Sequence, residues 1–294
     1  MTYLNLLDYK YFNIKIILSF LALICFFSTL NMVPPLDRDE SRYIQSTVQM
    51  LETKDFVNIN FLESPRLKKP PGIYWIQAIS VTFIKKILFL DNAPLWAFRL
   101  PSAVGASISI WLTFLLGQLL FGRTQGFIAA LLLISSPIII MESHIAKTDS
   151  ILLAFFLFTL YIFAKIIFYV DKKLSKPSDI IIFSAWIALG CSFLIKGPIA
   201  LLIILLTIIC FKVSRETISF KDLKPIVGII IFMIIIRLNN YRKGNFKSSK
   251  KGGFIVSETS FLKGSKIIPR IYCVDCGYFV FLICWNYRCS RKGK

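Results

Sequence analysis

Residues 100–141 read LPSAVGASISIWLTFLLGQLLFGRTQGFIAALLLISSPIIIM and contain one charged side chain, Arg123. A helix needs about 20 apolar residues to cross a bilayer, and residues 100–122 reach that length alone. Residues 16–36 do the same, and shorter apolar runs recur at 124–141, 150–164, 180–195 and 197–211. This recurrence predicts an all-α integral membrane protein with six or seven spans.

The overall composition agrees with a membrane protein. Only 17% of the 294 residues are charged, against roughly 25% in soluble domains, and the mean hydropathy is +0.68. Such a chain is neither disordered nor a single water-soluble domain, because its apolar surface exceeds what a core of this size can hide.

The net charge of +19 divides the chain into two parts. Residues 237–294 hold thirteen basic and two acidic residues, which accounts for +11 of that charge. We therefore expect a transmembrane module over 1–236, with an outer loop at 37–98, followed by a basic, aberrant or poorly ordered tail at 237–294. A basic segment suits anionic lipid headgroups, and we expect no nucleic-acid partner.

Residues 73–90 decide the topology. They are apolar as far as Ile84 and are followed by two lysines. If they crossed the membrane, the basic loops at 171–179 and 212–225 would lie outside, against the positive-inside rule. We therefore predict that 73–90 forms an interfacial helix on the outer side.

The segment Asp37-Arg38-Asp39-Glu40-Ser41-Arg42-Tyr43 directly follows the first apolar run. A helix starting near Asp39 places Arg42 three residues on and on the same side, so that a carboxylate lies beside a phosphate-binding guanidinium. The same residues also suit a helix cap, because acids near a helix start favour its dipole and Arg42 can extend to the lipid surface. Both interpretations stay open.

Three further polar stretches lie between apolar runs. In Leu67-Lys68-Lys69-Pro70-Pro71-Gly72 the prolines stiffen the backbone, so Lys69 is held either for a phosphate or as an anchor beside headgroups. In Glu142–Asp149 the final aspartate is either a site acid or a helix cap, and the single histidine, His144, cannot define a zinc site alone. Lys196-Gly197-Pro198 is typical of a hairpin between two spans.

Taken together, the ordered motifs Asp39–Tyr43, Leu67–Pro71, Phe121-Gly122-Arg123, Thr148-Asp149 and Lys196–Pro198 resemble the protein O-mannosyltransferase and aminoarabinose transferase superfamily. The resemblance covers roughly residues 31–201. It implies a GT-C fold, a multi-span helical module with outer-face interfacial helices. It also implies an enzyme of the inner membrane, with its active face extracytoplasmic, that transfers a sugar from a polyprenyl-phosphate carrier to a lipid or protein acceptor such as lipid A.

The resemblance assigns roles to six residues. Asp39 matches the family's acid after the first span, with Glu40 beside it, and Asp149 matches a second acid in a later outer loop. Arg42, Lys68 and Lys69 match basic positions that bind the carrier phosphate. Cations are needed there because negative charge develops on the phosphate as the sugar–oxygen bond breaks.

Three features of the chain lie outside this resemblance. Aminoarabinose transferases tend to have Glu-Lys-Pro where this chain has Lys68-Lys69-Pro70, so an acid suited to a divalent metal is missing and the metal stays undecided. The tail pair Cys273 and Cys276 forms a CxxC without a matching second pair. The family also continues with more spans where this chain becomes basic, from which we form the hypothesis of a truncated or frame-shifted end.

Two alternatives to an active enzyme follow. One is an inactive fragment of such an enzyme, and the other is a membrane transporter without chemistry. A transporter places ionisable groups at mid-membrane in broken helices, whereas the acids of this chain gather at span ends. The sequence therefore favours an interfacial enzyme over a transporter.

Overall fold

Helices form most of the chain in the computed structural model, which describes residues 2–32, 34–35, 37–66, 69–169, 175, 177–214 and 220–249. The predicted all-α class is confirmed. Lys68 and residues 250–294, including the CxxC, lie outside the described residues. The described helices are α1 Thr2–Phe27, α2 Arg38–Thr53, α3 Gly72–Leu88, α4 Leu95–Phe121, α5 Arg123–Ile134, α6 Pro137–Ser143, α7 Asp149–Phe168, α8 Asp179–Lys196, α9 Ile199–Ser214 and α10 Pro225–Ser249.

Three of these helices, α4, α7 and α8, are long and apolar enough to cross a membrane. Helices α5 and α6 qualify together but meet at an angle of 62°. Their break lies just before Pro137, since proline disfavours a helical residue before it and has no N–H to donate. Among the described residues, the other apolar helical segments are shorter than a span: 13–27, 199–210 and 225–237.

Helix α4 is the centre of the packing, in contact with α1, α3, α5, α6 and α7. Small residues allow these close approaches. A Cβ atom on Gly117 would lie 2.7 Å from the Cα of Gly126 in α5, and one on Gly105 would lie 3.0 Å from the backbone of Ile151 in α7. Helix α8 packs between α7 and α10, where the rings of Phe163 and Trp186 lie 5.4 Å apart.

A buried ion pair joins the polar segments at one end of this bundle. The Arg99 guanidinium donates to both carboxylate oxygens of Glu40, at 2.7 and 3.1 Å, and each residue is 1% exposed. Arg99 also donates to the carbonyl of Leu30, just after α1, at 2.8 Å. The backbone N–H of Ala146 donates to Glu40 at 2.9 Å. We call this end of the bundle, with α2 and residues 144–148, the α2 face.

Helix α3 runs along the α2 face, as the sequence predicts. Its first residue, Gly72, packs so closely on α8 that a Cβ atom would lie 2.7 Å from the carbonyl oxygen of Leu194. Its other end leads through a short link to the start of α4, where Arg99 lies. Both ends of α3 are therefore on the α2 face. Its exposed apolar side chains, among them Ile79 and Phe83, suit contact with lipid.

A two-stranded antiparallel hairpin completes the α2 face. Strand β1 (Asn60–Phe61) pairs with β2 (Ser64–Pro65), with Phe61 opposite Ser64. The side-chain amide of Gln49 in α2 makes two hydrogen bonds with the backbone of Leu62 in the turn. Its Nε2 donates to the Leu62 carbonyl, and its Oε1 accepts from the Leu62 N–H. The hairpin is thereby attached to α2, and it leads directly into the segment before α3.

Replacing Glu40 by Gln should lower the free energy of unfolding by about 3–5 kcal/mol, because it leaves the buried Arg99 charge without a carboxylate. The double variant E40L/R99M should lose less, since it removes both charges. The measurement is unfolding in mixed micelles by titration with sodium dodecyl sulfate. The matched control is Glu52→Gln, at an exposed position of the same helix. Equal stability of E40Q and E52Q would contradict this role of the pair.

Candidate active site

Asp39 and Arg42 form the predicted pair on the first turn of α2. Asp37 precedes the helix, and its Oδ1 accepts a hydrogen bond from the N–H of Asp39 at 2.7 Å. The Nη1 of Arg42 lies 3.7 Å from the Oδ1 of Asp39, and both side chains are partly exposed. The guanidinium of Arg42 also lies 5.9 Å from the ring centre of Phe61 in the hairpin. A carboxylate and a guanidinium are thus available together at the surface.

Tyr43 follows this pair in α2 and contacts Arg66. The guanidinium of Arg66 lies 5.1 Å from the centre of the Tyr43 ring, a cation–π distance, and its Nε donates to the hydroxyl of Tyr74. The Tyr43 and Tyr74 rings are 5.6 Å apart. Tyr43 is 2% exposed, so the guanidinium of Arg66 packs against a buried aromatic ring.

Tyr43 lies one helical turn after Asp39 and packs in one apolar cluster with Ile151, two residues after Asp149. Burial raises the pKa of Tyr43 above its ordinary value, and the nearby phenol of Tyr74 and the charges of Asp39 and Asp149 raise it further, against the opposing effect of Arg66. Asp39 and Asp149 are 110 residues apart in the chain, yet both act on the same hydroxyl. Contacts of Ala146 with Glu40 and of Lys147 with Asp37 also join the loop before α7 to the start of α2.

Asp149 is held by a lysine from the end of α8. It is the first residue of α7, while Thr148 occupies the N-cap position, one residue earlier than expected for the cap. The Nζ of Lys196 donates to the Oδ1 of Asp149 and forms an ion pair with it. Lys196 therefore ends a helix, as its Gly-Pro context predicts, and also brings a cation to the second acid.

A second ion pair, between Asp37 and Lys147, connects the start of α2 with the loop before α7. Partial burial raises the pKa of the Asp37 carboxyl, but hydrogen bonds from Lys147 and from the backbone outweigh it and lower the pKa below its ordinary 3.8. Burial lowers the pKa of Lys147, but its bond to Asp37 outweighs it and raises the pKa above 10.5. Both groups are held in their charged forms.

An apolar cavity of about 530 Å³ opens beside these charges, bounded by α4, α5, α6, α7 and α9. Most of its lining is aliphatic or aromatic, including Leu132, Leu153 and Phe156. Its charged lining residues, Glu142, Asp149 and Lys196, all lie at helix ends on the α2 face. The arrangement suits an amphipathic ligand with an apolar body and a polar head.

The sequence profile of the dolichyl-phosphate-mannose-protein mannosyltransferase family matches residues 68–239, more than half of the chain. The chain belongs to this family. It is also 25% identical over 205 residues to undecaprenyl phosphate-alpha-4-amino-4-deoxy-L-arabinose arabinosyl transferase 1 of Pseudomonas fluorescens, covering 67% of this chain and 34% of that protein. The enzyme of the same description from Aeromonas hydrophila is 30% identical over 203 residues, 66% of this chain and 34% of that enzyme. The chain therefore spans about a third of the length of these curated relatives.

The fold of this mannosyltransferase family member matches a solved structure. ArnT from Cupriavidus metallidurans, crystallised bound to undecaprenyl phosphate, superimposes with a TM-score of 0.66 at 19% identity, covering 77% of this chain and 40% of ArnT. The apo state of the same protein gives the same TM-score, over 84% of this chain. The expected GT-C-type fold with interfacial helices is thereby confirmed.

The six predicted site residues of this family member fall into three groups. Asp39 and Arg42 are paired on α2, and Asp149 is paired with Lys196 on the same α2 face. Glu40 is enclosed with Arg99 and holds the segments together. Lys69 is half-buried in the segment between β2 and α3, and Lys68 lies outside the described residues.

Four residues at or near the candidate site were given no site role by the sequence analysis. Arg66 precedes the Lys-Lys-Pro motif, Tyr43 ends the first motif, Lys196 was attributed to a hairpin, and Glu142 starts the third stretch. Their residue types show no signal of their own, since each role depends on a partner distant in the chain.

The described residues contain no group of three or more His, Cys, Asp or Glu side chains placed to hold a metal ion. Lys68 also stands where an acid suited to a metal tends to occur in aminoarabinose transferases. We therefore derive no step of the mechanism through a metal.

The pKa values of Asp37 and Lys147 predict a pH window for their ion pair. A lowered acid pKa gives stability that is present above its ordinary 3.8 and is lost as the pH falls through the lowered value. A raised lysine pKa gives stability that is present below 10.5 and is lost as the pH rises through the raised value. Asp37→Asn should therefore cost up to about 1 kcal/mol between these limits.

The measurement is unfolding in micelles across pH for the parent and D37N. The control is Asp91→Asn, at an exposed position. The difference between parent and D37N should narrow below about pH 4. A difference that stays constant down to pH 2 would contradict the ion-pair explanation.

Proposed function

We propose that this chain provides the acids and the carrier site of a glycosyltransferase that takes its sugar from a polyprenyl phosphate and passes it to an envelope acceptor such as lipid A. Membership of the mannosyltransferase family supports a glycosyl-transfer reaction. The names of the curated relatives support undecaprenyl phosphate as the carrier and 4-amino-4-deoxy-L-arabinose as one candidate sugar.

The observation that carries the proposal is that the start of α2, which bears Asp39, packs against the loop before Asp149, and that an apolar cavity lined by Asp149 and Lys196 opens beside them. A polyprenyl-phosphate sugar has an apolar chain, an anionic phosphate and a polar sugar. The cavity suits the polyprenyl chain of the lipid. The guanidiniums of Arg42 and Arg66 suit the phosphate, because a planar guanidinium can donate two parallel hydrogen bonds to phosphate oxygens. Asp39 and Asp149 are then available to contact the sugar and the acceptor.

In the proposed reaction the bond between the anomeric carbon and the phosphate oxygen breaks, and the leaving polyprenyl phosphate takes the electron pair. An acceptor oxygen forms the new bond to the anomeric carbon, and Asp39 accepts its proton. Arg42, Arg66 and Lys69 stabilise the charge that grows on the phosphate. Lys68, the neighbouring basic residue, belongs to the same proposed phosphate site.

Asp149 has a different proposed role because Lys196 is bonded to it. The lysine occupies one oxygen of this carboxylate, which leaves fewer acceptor positions for a proton from the acceptor. We therefore assign Asp149 to orienting the sugar or acceptor, and Asp39, which is held more loosely at 3.7 Å from Arg42, to accepting the proton.

We further propose that the α2 face is extracytoplasmic and that the membrane is the inner one. This orientation leaves the basic loops at 171–179 and 212–225 in the cytoplasm, as the positive-inside rule requires. Within the proposed division into a module at 1–236 and a basic tail at 237–294, helix α10 continues across the boundary to Ser249.

Asp39→Asn should lower the transfer rate at least about 100-fold, because it preserves the shape of the side chain and removes the base. The measurement is transfer of radiolabelled sugar from undecaprenyl phosphate to lipid A in vesicles that contain the chain. The control is Glu52→Gln, which should transfer at the parent rate. Parent-level transfer by D39N would contradict the role of Asp39, and no transfer by the parent would favour an inactive fragment.

Arg66→Gln should weaken binding of undecaprenyl phosphate about tenfold, the equivalent of about 1.4 kcal/mol. Arg66→Lys should recover only part of this loss, because an ammonium cannot form the planar two-point contact. Binding is measured by native mass spectrometry in detergent, with Lys54→Gln, at an exposed position, as control. Unchanged affinity in both Arg66 variants would place the phosphate elsewhere.

A further inference from the structure

Two buried polar atoms in the wall of the cavity have no hydrogen-bond partner among the described residues. They are the Oε2 of Glu142 and the Oγ of Ser150. Glu142 is 7% exposed and Ser150 is 3% exposed, and both line the cavity. Buried polar groups without a partner are costly and rare in folded proteins, so each such atom requires a physical explanation.

The rest of the structure does not explain the unpartnered carboxylate. Glu142 is the penultimate residue of the short helix α6, just before the chain turns into the loop that precedes α7. The neighbouring acids Glu40 and Asp37 are bonded to Arg99 and Lys147, and Asp149 is bonded to Lys196. The nearby cations are therefore directed at other carboxylates, while Glu142 faces the cavity.

The charges around Glu142 disfavour a second anion at this end of the cavity. Asp149 and Asp37 both repel negative charge at the position of Glu142, and only Lys147 and Lys196 attract it. Both lysines are already bonded to aspartates. A ligand that reaches Glu142 must therefore bring a hydrogen-bond donor, because a carboxylate oxygen accepts and a second anion would be repelled.

We propose that Glu142 and Ser150 are specificity-determining residues that bind a donor group, a hydroxyl or an ammonium, on the sugar of the carrier lipid. This inference rests on the proposed glycosyl transfer and adds to it the residues that select the sugar. The phosphate lies towards Arg42 and Arg66, and the sugar extends to the buried carboxylate. A site built to satisfy a buried polar group discriminates strongly against a ligand that leaves it unpaired.

The test compares three probes: undecaprenyl phosphate, undecaprenyl phosphate-glucose and undecaprenyl phosphate-aminoarabinose. The parent should bind one or both sugar-bearing lipids at least tenfold more tightly than the bare lipid. Glu142→Leu should abolish that preference and leave the affinity for undecaprenyl phosphate unchanged. Ser150→Ala should reduce the preference about threefold. Affinities are measured by native mass spectrometry, with Glu63→Gln, an exposed position on the hairpin turn, as the matched control.

The isosteric variant Glu142→Gln distinguishes the two donor groups and guards against misfolding, because it preserves volume and one acceptor oxygen. A tenfold loss confined to the aminoarabinose lipid assigns an ammonium, since the charge of the carboxylate is then required. If E142Q keeps the preference for sugar-bearing lipids and E142L loses it, the donor group is a hydroxyl. Thermal unfolding of each variant is recorded alongside.

Three results overturn the inference. The first is a parent that binds all three lipids equally. The second is that E142L and E142Q both keep the parent's preference for sugar-bearing lipids. The third is an E142L that weakens all three lipids alike, which would indicate a structural role. A parent that transfers sugar while showing any of these results refutes the inference alone, whereas a parent that binds none of the three lipids refutes the proposed function with it.

Discussion

The buried pair between Glu40 and Arg99 is the contact on which the α2 face depends. It joins α2 to α4, and through the Leu30 carbonyl and the Ala146 N–H it also holds the end of α1 and the loop before α7. A charge that is 1% exposed is tolerated only when it is paired and hydrogen-bonded. Four segments meet at this pair, and their contacts hold the start of α2 against the loop before Asp149.

The positions of the other charges follow from this constraint. Once α2 lies against the loop before α7, Asp37 reaches Lys147, and Lys196 at the end of α8 reaches Asp149. Arg66 then lies over Tyr43, and the cavity opens beside the acids. The charge that serves the proposed chemistry is thus local and nearly balanced. Glu142 is the exception, and its unpaired carboxylate motivates the inference about the sugar.

Several features were predictable from local sequence. The apolar runs predict α4, α7 and α8 because a segment with so few charges is stable only when lipid or protein covers it. The pair of Asp39 and Arg42 follows from helical spacing alone. Each prediction needs only neighbouring residues, and this is why it succeeds.

The sequence by itself determined the class of the protein, the helices, the side on which α3 lies and the family motifs, because periodicity, hydropathy and charge act over short distances. Only the tertiary structure decided that Glu40 is a buried partner of Arg99, that Lys196 is bonded to Asp149, and that Glu142 faces a cavity without a partner. These outcomes depend on residues that are 47 or more positions apart or on the space between several helices. The sequence pattern does not show which distant polar groups form hydrogen bonds or ion pairs with one another. These pairings matter because burying a polar or charged group without a partner costs free energy.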